Sequence, residues 1–327
     1  MSTVPIYCVD AFTKSRFAGN QAAVFLSNKI HDDYLYLKIA AEFNLSETAY
    51  PIPLDNNNFQ TSQNFSLRWF TPLTEVGLCG HATLATAHVI FNELGNFNNT
   101  ISFQIKSGDT LKVTKGATAE SYIMDFPVFD IYTVLHDDLP NEDIMDMFPH
   151  IEGPTNILSL IKQVTEDLTI KNVGYAKEAK KLIVELASTT TKKQLLELKA
   201  NSTGLIEQDP DGTFVRGLII TIAPNNPEEQ GFSECNKVAC STPGGTFRSN
   251  VYISRYFAPW VGIAEDPATG SSQCALAPYF AARLDKKHFY AFQAYPGRGA
   301  EFEVEIAGER LLLTGFAKTV ITGSIQY

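Results

Sequence analysis

Glu47 sits in Asn44-Leu45-Ser46-Glu47-Thr48-Ala49-Tyr50, where a helical pattern hands over to a strand pattern. A carboxylate at such a junction can point into a cleft and serve as a general acid or base. From position alone, a solvated surface glutamate is the simpler reading. His81 and Cys79 lie in a second stretch, RWFTPLTEVGLCGHATLATAHVIF, from Arg68 to Phe91. Its later part is a nearly charge-free helix starting near Gly80, and a helix apolar all round is a buried one. The first turn, Gly80, His81, Ala82 and Thr83, offers unpaired N–H groups and the positive end of the helix dipole, a ready site for carboxylate or phosphate. That position disfavours a protonated His81, so a neutral, hydrogen-bonding imidazole is expected, or else a packed core histidine. Cys79 reads as a thiolate favoured by the helix end or as a small buried apolar residue.

The same pattern returns from Arg255 to Phe280 as RYFAPWVGIAEDPATGSSQCALAPYF. Setting Phe70 on Phe257, an offset of 187 residues, aligns Arg68 with Arg255, Pro72 with Pro259 and Cys79 with Asp266. A fixed offset over several positions predicts a duplication, with two buried helix starts facing one cleft if the halves are related by a pseudo-twofold. Asp266 is then either a capping aspartate or the functional counterpart of Cys79. Thr269, Gly270 and Ser271 form a second anion cradle that mirrors Gly80–Thr83. Asn20 follows Gly19 in a turn, where plain turn chemistry is the bland reading. Arg298, between Gly297 and Gly299, is expected to be a mobile cation able to close on an acid, or simply exposed.

The elements that must position these residues follow from periodicity. Strands are predicted over 4–10 and 22–26 with a Phe17–Asn20 turn between, and a helix over 32–44 capped by Asp32 or Asp33. An Asn-rich hairpin loop over 51–64 leads to a strand at 65–71. Antiparallel strands follow at 100–106, 109–115 and 121–126, with Gly108-Asp109 as a turn. Residues 127–153 connect the halves. Short strands are expected near 157–163, 169–175 and 181–187, a surface helix at 190–201, and a buried strand at 215–223. A loop at 224–248 and strands near 249–258, 289–296, 301–306 and 310–321 surround the second buried helix at 268–284, where Pro278 should kink or end it. The order is α+β, with each sheet wrapping a central helix, and the halves divide as 1–128 and 129–327, the last strands crossing back.

Bulk properties narrow the class. With 327 residues, 44% hydrophobic and 19% charged, the chain is an ordinary globular protein of about two domains. A net charge of −10 argues against nucleic acid or an anionic membrane as the main partner. No apolar run is long enough to span a bilayer, and no signal segment is evident at the N-terminus. Five cysteines without a framework point to a reduced, cytoplasmic protein. Cys235 and Cys240 lack the second pair a zinc site needs, and no HxH or HExxH pattern occurs, so no metal is expected. PGGT lacks the Lys-Ser/Thr of a phosphate loop.

Five ordered motifs, DAFTKSRFAGNQAAVF, NLSETAY, RWFTPLTEVGLCGHATLA, SRYFAPWVGIAEDPATGSS and GRGAEFEV, resemble those of the phenazine-biosynthesis-like (PhzF-like) family, its eukaryotic branch above all. The resemblance spans nearly the whole chain. It implies the diaminopimelate-epimerase-like fold, two pseudo-symmetric domains with a cleft between them. In the family's bacterial isomerase a glutamate matching Glu47 shuttles a proton on a cyclic amino-hydroxy acid. Asp266 and His81 would line the pocket, while backbone around Gly80–Ala82 and Gly270–Ser271 would hold a substrate carboxylate. No cofactor is implied, and a homodimer is common. Gln21 stands where the family usually has proline, and Cys235–Phe247 looks like an insertion. Related racemases use two cysteines, but Asp266 replaces the second, so a two-thiol mechanism is not supported. The leading expectation is a cofactor-independent isomerase of a small carboxylic acid. Two alternatives stand beside it: a scaffold with a WD-repeat protein partner, and a one-cysteine epimerase using Cys79 with Asp266.

Overall fold

A helix without charged residues has to be wrapped on every side, and the strands flanking it do the wrapping. The computed structural model describes residues 3–135, 157–232 and 251–327. The pair Cys235 and Cys240, the 235–247 insertion, residues 249 and 250, and most of the 127–153 connection and of the 224–248 loop lie outside them. The chain divides into two units, Met1–Phe126 with Gly297–Phe302 and Arg310–Tyr327, and Pro127–Pro296 with Glu303–Glu309.

The first unit opens with β1 (Thr3–Ala11), β2 (Asn20–Phe25), α1 (Asp33–Phe43), β3 (Glu47–Pro53), β4 (Asn64–Phe70) and the short β5 (Glu75–Val76). Next come α2 (Gly80–His88), a π-helical turn at Val89–Glu93, β6 (Thr100–Gln104), β7 (Thr110–Lys115) and β8 (Ser121–Pro127). The second unit holds β9 (Tyr132–Leu135), α3 (Ile157–Thr165), β10 (Ile170–Ala176), β11 (Lys181–Leu186), α4 (Lys192–Glu197), α5 (Ser202–Gln208) and β12 (Gly217–Ile222). It continues through β13 (Val251–Ala258), β14 (Ile263–Asp266), α6 (Gly270–Leu284) and β15 (His288–Gln293). The first residues of β16 (Ala300–Ala307) belong to the first unit and the rest to the second, and β17 (Arg310–Gln326) returns to the first.

In the first unit β1 pairs antiparallel with β2, β2 parallel with β3, β3 antiparallel with β4 and β4 parallel with β6. Antiparallel β7 and β8 follow, and β17 pairs with both β8 and β1, so the ladder closes on itself. Every residue of α2 is buried. Its two threonines, Thr83 and Thr86, turn their hydroxyls back on the carbonyls of Cys79 and Ala82 at 2.6 and 2.7 Å, which removes the desolvation cost of a buried hydroxyl. Gly315 of β17 lets the helix come close, because a Cβ there would press on Leu84 and Phe12. Outside the ring, α1 packs Tyr36, Ile39 and Ala40 on Phe25, Tyr50 and Phe70. Asp32 caps it by accepting from the Leu35 N–H at 2.8 Å.

The second unit repeats the pairing: β10 with β11 antiparallel, β11 with β12 parallel, β12 with β13 antiparallel and β13 with β15 parallel. The 187-residue repeat is also visible side chain by side chain. Arg68 lies 5.0 Å from the Phe70 ring and grips Glu75, while Arg255 lies 5.0 Å from the Phe257 ring and grips Glu265. Each glutamate comes from the short strand that folds back antiparallel on its partner.

Several expectations need correction. Residues 157–165 form a helix, because Ile157, Leu160, Ile161 and Val164 recur at helical spacing and all are buried in one core. The surface helix of 190–201 is shorter than expected, α4 ending at Glu197, and a second short helix, α5, follows beyond it. The hairpin loop is shorter than 51–64, since β3 runs on to Pro53. Pro278 does not end α6. The Cys274 carbonyl that its missing N–H would have bonded instead accepts from the Phe129 N–H at 3.0 Å.

Candidate active site

Three chain segments begin together in the first unit. Asn20 is the first residue of β2, Glu47 the first of β3, and parallel pairing places Glu47 opposite Ala22. Asn44 closes α1 in the left-handed conformation (φ 52°), turning the chain into β3. Gly80 starts α2, preceded by Cys79 in extended conformation.

These starts converge on His81. Its Nε2 lies 3.0 Å from Glu47 Oε2, and its Nδ1 lies 3.4 Å from Cys79 Sγ and 3.2 Å from Asn20 Nδ2. Ser46 Oγ donates to Asn20 Oδ1 at 2.9 Å. Glu47 is only 5% exposed, so the surface reading of this carboxylate is wrong. Gly80 and Ala82 are buried beside it, at the helix end whose N–H groups lack intrahelical acceptors.

The electrostatics reverse two expectations. Burial pulls the His81 imidazolium down, but the sulfur of Cys79 and the carboxylate of Glu47 together push it well above the ordinary histidine range. A carboxylate in contact outweighs the helix dipole that predicted a neutral ring. A ring charged in this way sets Nε2 in ion contact with the Glu47 carboxylate and turns Nδ1 toward Cys79. Cys79 is not the thiolate that the helix end suggested. Burial, and then the Glu47 charge, push its thiol up to about 11, against weaker lowering by His81 and the Ala82 N–H. Near neutrality the thiol keeps its proton, which leaves Glu47 as the charge that acts on His81.

Arg298 is fixed rather than mobile. It donates to the Ala18 and Gly19 carbonyls, each at 2.8 Å, and pairs with Asp10 at 2.6 Å. Asp10, 1% exposed, also accepts from the Phe17 N–H. Gly19 (φ +64°) passes so close to Ala11 that a Cβ would run into its carbonyl oxygen. Arg298 therefore holds the turn that delivers Asn20 and is a positioning residue in its unit.

In the second unit Asp266 ends β14 and accepts a short bond from the Thr269 hydroxyl. It does not cap α6 in the ordinary way. Gln293 ties the turn together, accepting from the Thr269 N–H at 2.7 Å and donating to the Asp266 carbonyl at 2.6 Å. Gly270 is buried and Ser271 half-buried at the first turn of α6.

Among the described residues, Glu47, Cys79 and His81 form the grouping with metal-ligand character, one donor atom from each lying within 4.8 Å of the others. Glutamate and cysteine approach opposite ring nitrogens, so a single ion would need the imidazole to turn. No helix of the described residues is long and apolar enough to cross a membrane.

Comparison with known proteins gives the family of the whole chain. The phenazine biosynthesis-like protein family (PhzC-PhzF) matches over residues 9–323. A phenazine biosynthesis-like domain-containing protein of Bos taurus is 37% identical over 98% of this chain and 99% of its own. A protein of Halalkalibacterium halodurans named an uncharacterized isomerase is 33% identical over 99% of both chains. Among solved structures, a PhzF-family protein of Enterococcus faecalis superposes with a TM-score of 0.73 at 29% identity, covering all of both chains.

Proposed function

The chain belongs to the phenazine biosynthesis-like (PhzF-like) family and has its diaminopimelate-epimerase-like fold, and from that premise we propose that it is a cofactor-independent isomerase moving a proton on a small carboxylic acid. The observation that carries the reading is the buried Glu47 carboxylate held 3.0 Å from His81 at the start of α2. The isomerase name of the Halalkalibacterium relative supports it.

In the proposed step the Glu47 carboxylate takes a proton from a substrate C–H whose electrons delocalise toward an adjacent unsaturated group. The resulting carboxylic acid returns the proton to another carbon, so no electrons are gained or lost. His81 steadies Glu47 by its charge at 3.0 Å. Backbone N–H groups of Gly80–Ala82 hold the substrate carboxylate and developing charge. Asp266, Gly270 and Ser271 are the corresponding binding candidates in the second unit. The high thiol pKa of Cys79 tells against the one-cysteine alternative.

Glu47→Gln tests the reading, since it keeps size and hydrogen bonding but removes the base. Turnover on an identified acid should fall by at least ~10²–10⁴-fold, the usual share of general acid–base catalysis, with substrate binding retained. Unchanged turnover in a folded variant would refute the role of Glu47. A variant with no measurable chemistry to lose, but with unchanged capture of a WD-repeat partner, would favour the scaffold reading.

A further inference from the structure

Among the described residues of the second unit, the buried Arg255 and Glu185 each meet an opposite charge. Arg255 meets Glu265 through two nitrogens. Glu185 is held by Arg283, Lys171, Asn172 and Tyr279. Lys181, 7% exposed, has no carboxylate partner among the described residues. Its Nζ donates to Tyr256 Oη at 2.7 Å and lies 4.4 Å from the centre of that ring. A neutral hydroxyl and a ring face leave most of an ammonium's lost hydration uncompensated.

The arrangement is built for the lysine. Strand alternation puts Lys181 on the same face of β11 as Glu185, and Tyr256 on the same face of β13 as Tyr252. That is the face covered by α6, since Glu185 bonds Tyr279 and Tyr252 bonds Gln273. Tyr256 reaches Lys181 by crossing Gly217 of β12, where a Cβ would collide with its hydroxyl. Asp266 stands directly opposite Tyr256 in the antiparallel register. Lys181, Tyr256, Asp266 and Thr269 each keep 6–8% exposure, whereas their neighbours Ile183, Ile219 and Gln273 keep none. A file of slightly exposed polar side chains thus runs from the start of α6, past the Asp266 carboxylate, to an ammonium with no carboxylate in contact with it.

We propose that Lys181, oriented by Tyr256, is an anion subsite, and that the second unit binds an acid with two anionic groups. One group is taken by the N–H groups at Gly270 and Ser271, and the other, a carboxylate or a phosphate, by Lys181. The inference rests on the isomerase reading only in making that dianion the substrate.

Calorimetric titration of the full chain with succinate, 3-phosphoglycerate and butyrate tests it. At least one dianion should bind tenfold or more tightly than butyrate, and which one does so identifies the second group. Lys181→Met should bring that dianion down to the butyrate level, leave butyrate unchanged and unfold no earlier than wild type, because a buried charge has been removed. Tyr256→Phe should lose part of the preference with the ring in place. Equal binding of all three acids by wild type, absence of dianion binding, or a preference untouched in both variants overturns the proposal. Glu47→Gln should bind dianions as wild type does. Turnover lost there without any dianion preference sinks only the subsite, and the converse pattern sinks only the base.

Discussion

Arg298→Met removes the guanidinium that joins Asp10 to the Ala18 and Gly19 carbonyls and leaves a carboxylate only 1% exposed with its Phe17 N–H contact alone. Removing one member of a buried pair costs about 3–5 kcal/mol. The Arg298 side chain is 23% exposed, so water screens part of the interaction, and ~2–3 kcal/mol is the appropriate scale. For a unit of about 150 residues, where each kcal/mol moves the midpoint by about 2–4 °C, the first unit should melt ~5–10 °C earlier. Arg298→Lys should recover little, because one ammonium cannot reach two carbonyls and a carboxylate with the geometry of a planar fork. Asp10→Asn combined with Arg298→Met should be more stable than the sum of the single losses implies, by about 1–2 kcal/mol, since neither charge is then stranded. Thermal and urea unfolding followed by circular dichroism measure wild type, the two Arg298 variants, Asp10→Asn and the double variant, and the Asn20 side-chain amide resonances report whether the turn has moved. A loss below about 0.5 kcal/mol for Arg298→Met, or strict additivity in the double variant, would refute the clamp.

Three further outcomes follow from the same geometry. Cys79 should resist alkylation at neutral pH, with a thiolate fraction of about one in 10⁴ for a pKa near 11, and its rate should climb about tenfold per pH unit; rapid, pH-independent labelling at pH 7 contradicts this. A folded-state His81 pKa raised above 6.5 gives stability that is complete below pH 6.5 and is lost as pH rises through the folded value. Urea midpoints should therefore fall on raising the pH from 6.5 toward 9, and Glu47→Gln should flatten that slope; an equally steep slope in the variant removes Glu47 as the cause. Gly19→Ala should cost more than about 1 kcal/mol, and more than Gly297→Ala, which has the same sign of φ but open space around it. Equal losses at the two glycines, read from unfolding midpoints, would mean that the approach to Ala11 is not tight.

Much of this was legible in the sequence because it is local. The missing charges of α2, the alternation of β6 to β8 and the fixed offset between Arg68 and Arg255 each survive translation into structure. The helix at 157–165 is not legible because a short apolar run fits both periods. Glu47 could not be seen to be buried, since its burial depends on the parallel register of β2 and β3 rather than on neighbours in sequence. The same holds for the state of His81: the helix end is visible in the sequence, but the carboxylate that overrides it arrives from 34 residues away. Nothing in the sequence marks Lys181 at the start of the strand expected near 181–187, and only the glycine at 217 and the tyrosine at 256 show that its ammonium is enclosed. The glycines around Arg298 suggest a mobile cation, but Asp10, 288 residues away, holds it fixed.

The most direct test of the central claim is deuterium wash-in. Wild type and Glu47→Gln are incubated in heavy water with a panel of small amino, hydroxy and unsaturated acids, dihydro-hydroxyanthranilate among them, and the acids are weighed by mass spectrometry. The account predicts that wild type adds one mass unit at a carbon-bound position of at least one acid, and that Glu47→Gln, folded and able to bind that acid, adds none. Exchange that persists in Glu47→Gln, or a wild type that exchanges no acid it demonstrably binds, would contradict it.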